Sequence, residues 1–251
     1  MAPLARDLLL TGASVTSIDL AQTATGVRLH PITVELDESA PIPEGAARRA
    51  LNVAVALAGI VITAPLMFVI GVAVKLSSPG PIIYRQPRIG IDRRGRFGGN
   101  HRRVVDLGGQ PFTIYKFRTM QVVSAGPQQW ASPTDPRVTS LGRILRRFRL
   151  DELPQLFNVL RGDMNVVGPR PEQPRIFSEL REQIPGYHVR QRVRPGITGW
   201  AQINHHYDTC LEDVQHKLSL DLEYVSRQGF AQDLWIMMRT VPTMAFRRGA
   251  W

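Results

Sequence analysis

From residue 50 to residue 74 the chain carries no charge, a run of about 25 residues that would cross a bilayer core as a helix. Pro65 falls near its middle, where a missing N–H and a ring clash bend a helix. Arg48 and Arg49 precede the run, and Lys75, Arg85 and Arg88 follow it. Positive charge on both flanks predicts that both ends face the cytoplasm. The pattern therefore predicts a re-entrant helix-break-helix anchor, with a simple spanning helix as the competing reading. In a re-entrant helix the backbone groups freed at Ala64-Pro65 need partners, and Thr63 is placed to supply one.

Past the apolar run, Ser77-Ser78-Pro79-Gly80-Pro81 is a turn cluster, and residues 82–84 and 112–115 read as two short strands. Leu141, Ile144, Leu145 and Phe148 share one face of a helix, leaving Arg143, Arg146 and Arg147 on the other. Pro154 opens the next helix, Leu153, Leu156, Phe157 and Leu160 give it an apolar stripe, and Arg161-Gly162 stops it. Residues 212–228 carry Val214, Leu218, Leu222 and Val225 near helical spacing. Residues 233–248 hold Leu234, Trp235, Ile236, Met237, Met238, Val241, Met244 and Phe246 and close on Arg247-Arg248. That composition suits a helix lying in a membrane interface, and equally one packed on the catalytic body. Residues 13–36 alternate loosely and lead into an acidic, proline-bearing stretch, which reads as a small β appendage or a disordered arm. The expected fold class is α-rich α+β: a re-entrant anchor, a short β-hairpin, and amphipathic interfacial helices around a compact catalytic domain. The expected divisions are 1–46 for the arm, 47–76 for the anchor and 77–251 for the cytoplasmic domain.

Charge narrows the partners. A net +10 over 251 residues points to anions: a nucleotide, a phospholipid surface or nucleic acid. Aromatic residues make up only 7% and are not interleaved with the basic cluster, so no nucleic acid is expected. The basic, glycine-rich stretch 92–109, with Arg93, Arg94, Arg96, Arg102 and Arg103, reads as a contact for anionic membrane lipids or as a solvated loop. Cys210 is the only cysteine, so no intrachain disulfide forms, and a reducing compartment fits. The six histidines show no metal-ligand spacing.

The candidate chemistry sits at Asp151-Glu152. Adjacent carboxylates repel each other and stay together only with cations, a metal or free solvation nearby. Arg143, Arg146, Arg147 and Arg149 lie just upstream, and the pair falls at a helix start, where the dipole favours the ionised form. An ionised Asp against basic groups suggests a nucleophile for a phosphoryl centre; a capping acid on a solvated basic helix is the alternative. Lys116 and Arg118 alternate with Tyr115 and Phe117 on a strand, so both cations share a face suited to phosphate. Arg170 is fixed between Pro169 and Pro171, which pre-orients its fork for a phosphate. Arg194, before the Pro195-Gly196 turn, is expected to contact substrate, and Asp163 reads as a supporting acid or a turn residue.

Residues 139–171, with 115–120 before them and 194–200 after, resemble the bacterial sugar transferases, and more specifically the monotopic phosphoglycosyl transferases. The resemblance runs from about Arg48 to the C-terminus and implies the same membrane hairpin. It implies transfer of a sugar 1-phosphate from a UDP-sugar to undecaprenyl (polyprenyl) phosphate, through a phosphosugar on Asp151, with release of UMP. It also implies the cytoplasmic face of the bacterial inner membrane and a first membrane step in exopolysaccharide, O-antigen or glycoconjugate synthesis. Glu152 would ligate Mg2+, which usually bridges diphosphate oxygens with one or two carboxylates and arginines beside it. Arg146 matches a family arginine, and Asp233 a family acid that an ordinary helix N-cap would also explain. Gln86, Arg88 and Gly90 match a Gln-x-Arg-x-Gly loop, whereas Phe148-Arg149 departs from the family's small hydroxyl residues. The alternatives are a membrane-tethered basic anion or nucleic-acid binding module, and an ordinary glycosyltransferase releasing UDP. Neither the sugar nor the choice between monomer and homo-oligomer is written in the sequence.

Overall fold

The computed structural model describes residues 15–17, 35–37, 41–92, 109–122, 135–205 and 210–245. In chain order the elements are β1 (Val15–Ser17), β2 (Glu35–Asp37), α1 (Ala46–Ser77), β3 (Ile83–Ile89), β4 (Pro111–Phe117), α2 (Ser140–Arg147), α3 (Gln155–Arg161), β5 (Asn165–Val167), α4 (Pro174–Gln183), β6 (Gly196–Thr198), α5 (Trp200–Asn204), α6 (Leu211–Arg227) and α7 (Phe230–Ala245). Short 3-10 helices form at Leu150–Glu152 and Tyr187–Arg192. The chain is rich in helix with a few short strands, as the sequence pattern predicts.

The apolar run folds as one 32-residue helix that carries Pro65 inside it. The break expected at Pro65 is therefore not a gap between two helices, since a proline can be kept within a helix that bends around it. Thr63 is spent locally: its hydroxyl donates to the Gly59 carbonyl at 2.6 Å. Both ends of α1 pack against the rest of the chain, through Arg48, Asn52 and Ala56 at the start and Ile70, Gly71 and Val74 near the end. Its middle is bare, with Val61, Ile62 and Phe68 each more than 70% exposed. Among the described residues it is the one helix long and apolar enough to cross a membrane.

β3 and β4 form the predicted antiparallel hairpin, in a register that sets Tyr84 opposite Lys116. It is longer than expected and takes Gln86 and Arg88 into β3, where the resemblance puts them in a loop. Most of the basic stretch after it, including Arg93, Arg94, Arg96, Arg102 and Arg103, lies outside the described residues. α2 packs on the body through Leu141, Gly142 and Leu145, whereas Ile144 and Phe148 are more than half exposed. The four-residue apolar face expected there is therefore split.

A two-stranded parallel ladder brings the distant motifs together. β5 pairs with β6, Asn165 opposite Gly196 and Val167 opposite Thr198. The approach needs glycine on both sides: a Cβ on Gly196 would stand 2.1 Å from the Gly168 nitrogen, and one on Gly168 would stand 2.4 Å from the Arg194 carbonyl oxygen. Thus the turn bearing Arg170 and the turn before α5 lie side by side. α6 supplies Val214, Leu218, Leu222 and Val225 to the core, as its spacing predicts. α7 packs on the body, one of the two readings open for it, and keeps an exposed apolar face. Ile236 is fully buried and Met237 packs on the same cluster, while Met238 and Val241 point outward. Phe246, Arg247 and Arg248, and the side chain of Met244, lie outside the described residues.

Candidate active site

The chain reaches the acidic pair through a capped helix and a tight reversal. Thr139 caps α2, its hydroxyl accepting from the Gly142 N–H at 2.9 Å. Past Phe148 the backbone turns through Arg149, whose φ of 53° lies in the left-handed region that side chains disfavour. Leu150–Glu152 then make a single 3-10 turn, and Pro154 leads into α3, which closes on Gly162 at φ 81°. The carboxylates therefore sit just before a helix start, as the sequence indicates, and both are buried.

Three segments converge on Glu152. Lys116 of β4 donates to its Oε1 at 2.8 Å, and Arg170 donates to the same oxygen at 2.6 Å. Arg149 stands 4.0 Å from Oε2. These cations hold the Glu152 carboxyl well below the usual range against the opposing effect of burial. Asp151 is different. Among the described residues nothing donates to its carboxylate, and burial, then the charge of Glu152, pushes its pKa up despite Lys116, Arg146 and Arg170. At Asp151 the helix dipole expected to favour the ionised form is outweighed by burial and the neighbouring charge, which move its pKa upward. Four cations (Lys116, Arg146, Arg149 and Arg170) face two carboxylates here, which leaves the corner with surplus positive charge.

Arg170 is held by its own backbone as well as by its prolines. Its carbonyl accepts from Arg190 at 2.9 Å, and that of Pro171 accepts from Arg88 at 2.9 Å. Arg190 is itself locked by Glu172 at 3.2 Å and Asp221 at 2.6 Å. Gln202 of α5 accepts from Arg170 at 3.1 Å. Arg190 and Gln202 escape a reading of the sequence. Arg190 has no local signature, and Gln202 stands two residues beyond the motif that ends at Trp200.

Of the remaining predicted residues, Arg146 reaches the corner by its charge while its Nε donates to Thr119 at 2.9 Å. Arg118 does not join Lys116. β4 ends at Phe117, and the Arg118 guanidinium turns to the carbonyls of Val74, Ser78 and Pro79, tying down the end of α1. Asp233 is also corrected: fully buried, it takes Arg48 on Oδ2 at 2.6 Å and Tyr224 on Oδ1 at 2.7 Å, with no face left for a substrate. Arg194 pairs with Glu44 rather than with a group of the site. Asp163 accepts from Asn158 at 3.3 Å and pairs with Arg161 at 3.4 Å in the turn after α3.

No group of three or more His, Cys, Asp or Glu side chains forms a metal cage among the described residues. Glu152 Oε2 receives no hydrogen bond from the described residues, so it keeps the free acceptor that a Mg2+ ligand needs. That ion commonly takes one or two carboxylates and completes its shell with substrate phosphates and water.

The profile of the bacterial sugar transferase family matches residues 44–247, and the chain belongs to that family. It is 38% identical over 204 residues, 81% of this chain and 44% of the relative, to the UDP-N-acetylgalactosamine-undecaprenyl-phosphate N-acetylgalactosaminephosphotransferase of Aeromonas hydrophila. It is 41% identical over 198 residues, 77% of this chain and 39% of the relative, to the UDP-glucose:undecaprenyl-phosphate glucose-1-phosphate transferase of Escherichia coli K12. With the enzyme of that same name from Caulobacter vibrioides it shares 39% identity over 226 residues, 87% of this chain and 79% of the relative. The chain thus spans less than half the length of the first two relatives.

Proposed function

We propose that the protein transfers a sugar 1-phosphate from a UDP-sugar to a polyprenyl phosphate through Asp151. The observation that carries this reading is the imbalance at the corner: four cations around two carboxylates, one of them without a donor. A diphosphate brought there is met by the surplus charge, and its anionic oxygens stabilise the ionised form of nothing but their own partners, the arginines and Lys116. An Asp151 oxygen attacks the phosphorus bearing the sugar, and the bond to the bridging oxygen breaks, so UMP leaves with that oxygen and its electron pair. An oxygen of the acceptor phosphate then attacks the same phosphorus. The aspartyl bond breaks, giving a polyprenyl diphosphate sugar and the free carboxylate. Covalent relay through one carboxylate divides a transfer between two anions into two displacements. Mg2+ on Glu152 Oε2 would neutralise phosphate charge when bound. Glu152, itself anchored by Lys116 and Arg170, keeps the two cations in place next to Asp151.

The anchor reading is re-entrant, with the body on the cytoplasmic face. A straight helix of 32 residues would be about 48 Å long, more than a bilayer core. The ends of a spanning helix stand on opposite sides of the membrane. Here Arg48 at one end is paired with Asp233, and the carbonyls at the other end are taken by Arg118. Engagement of both ends by one body supports a helix that returns. The relatives' names differ in the sugar, so the test is a panel of UDP-sugars with polyprenyl phosphate. UMP release with formation of a lipid diphosphate sugar is expected, and UDP release would instead mean an ordinary glycosyltransferase. The same assay with EDTA, then with Mg2+ restored, checks the metal.

A further inference from the structure

Glu152 also lines a cavity of about 360 Å³ that the donor chemistry leaves unused. Its walls are apolar and come from four helices: Val55 of α1, Leu156 of α3, Ile203 of α5, and Met237 and Val241 of α7. Arg147 and Arg149 border it with Glu152, and these three are near neighbours in the chain, so its charge is gathered at one end. Val241 is 69% exposed, so the cavity opens at α7, beside the outward Met238.

The hydroxyls on its lining are spent within the protein. Thr198 and Thr240 bond each other at 2.8 Å, Thr240 also donates to the Ile236 carbonyl, and Thr243 donates to that of Arg239. A nucleobase or sugar entering here would lose hydrogen bonds to water and gain few in return. The exception is Gln202. Its oxygen serves Arg170, while its amide nitrogen is buried and has no partner among the described residues. The chamber therefore pairs an apolar body with one charged end, one spare donor and a mouth on an exposed apolar face. That is the chemistry of a lipid phosphate.

We propose that this cavity receives the first isoprene units of the polyprenyl phosphate acceptor, its phosphate lying at the Arg149 end within reach of the Gln202 amide. The inference rests on the reading given under Proposed function. It makes α7 and α5, and not the membrane helix alone, the elements that read the acceptor's chain.

The test separates the two half-reactions, using the UDP-sugar that yields UMP. The donor step is the burst of UMP formed without acceptor, and the acceptor step is measured with two-isoprene and four-isoprene phosphates. In the native protein the longer acceptor is expected to have a KM lower by about tenfold, as added methylenes find apolar walls. Ile203→Trp, which fills the chamber, should abolish that gain and lower the acceptor step by about tenfold relative to the donor step. Equal loss in both steps, an unchanged chain-length profile, or a raised KM for the UDP-sugar in place of the acceptor would each overturn the proposal. A second readout needs no variant. A diazirine on the second isoprene unit should label the α7 peptide holding Met237 and Val241, and labelling confined to α1 would sink the idea. Failure of the native protein to release UMP from any UDP-sugar would reject the underlying reading itself, whereas UMP release without chain-length dependence rejects only the assignment of this cavity.

Discussion

Asp233 and Asp151 are both buried carboxylates close to arginines, and the fold treats them in opposite ways. Asp233 has a partner on each oxygen, Arg48 and Tyr224, and one positive charge answers one negative charge. The three residues come from α7, α1 and α6, so the pair fastens the start of the membrane helix to the body. Asp151 has no donor among the described residues and shares its corner with more cations than acids. A closed pair leaves nothing for a ligand to complete. An acid without a partner at a corner with surplus positive charge leaves cations that an arriving anion can complete, while its own oxygens stay open for chemistry. The balance of charge around each acid, more than the presence of arginines near it, separates fastening from chemistry.

The comparison is broken most directly by deleting each partner. Asp151→Asn keeps the shape and removes the attacking charge, so turnover should fall on the order of 10⁴-fold. Stability should hold or rise slightly, because a carboxylate that burial and Glu152 disfavour has been made neutral. Trapped adduct should be present on the native chain and absent from the variant. Arg48→Ala does the reverse. It leaves Asp233 buried with Tyr224 as a donor but no cation, which should cost about 3–5 kcal/mol in a denaturant titration of the detergent-solubilised protein. If Asp151→Asn unfolds as readily as Arg48→Ala, the two acids are not different in kind.

A smaller effect follows from pH. The Asp151 pKa is raised in the folded protein, so the stability tied to its protonated form is complete below the ordinary carboxylate pKa and is lost as pH rises through the raised value. Activity runs the other way, since only the ionised form attacks. The acid limb of the donor step should therefore lie above the usual Asp value of about 4. Glu152→Gln removes the charge that helps raise it, so the limb of the residual activity should move to lower pH. A limb that stays put would show that Glu152 does not set the nucleophile's ionisation.

Much of this corner is legible in the sequence because its geometry is local. Pro154 and Gly162 bound α3, and Pro169 and Pro171 grip Arg170, so the acids and one cation can be placed from short-range rules alone. The hairpin gives Lys116 its direction for the same reason. What local rules miss is where a strand stops and what a long side chain meets. Arg118 shares parity with Lys116, yet β4 ends one residue earlier and sends it to the end of α1. Asp233 carries the look of a functional acid, and only the packing of α1 against α6 and α7 shows that it is closed. Arg190 and Gln202 become visible only after the β5–β6 ladder has brought two turns together, a pairing that no periodicity announces.

The smallest effect concerns Arg149, where backbone and side chain can be tested apart. Its φ of 53° and ψ of 22° suit glycine better than any residue with a Cβ. Its guanidinium stands 4.0 Å from Glu152, so the position has two separable roles. Arg149→Gly and Arg149→Ala both remove the cation, but only glycine adopts the left-handed turn freely. The glycine variant should be the more stable of the two by about 1 kcal/mol, read as a difference in denaturation midpoint at equal slope. Both should raise the KM for the UDP-sugar to a similar degree, because the same charge is missing from the corner. Were alanine to lose far more activity than glycine while remaining folded, the turn itself would be what positions Asp151. Equal stability of the two would mean that the reversal before the acids is not strained, and the burial of an unpartnered Asp151 would then have to be enforced by the convergence of β4 and the Arg170 turn alone.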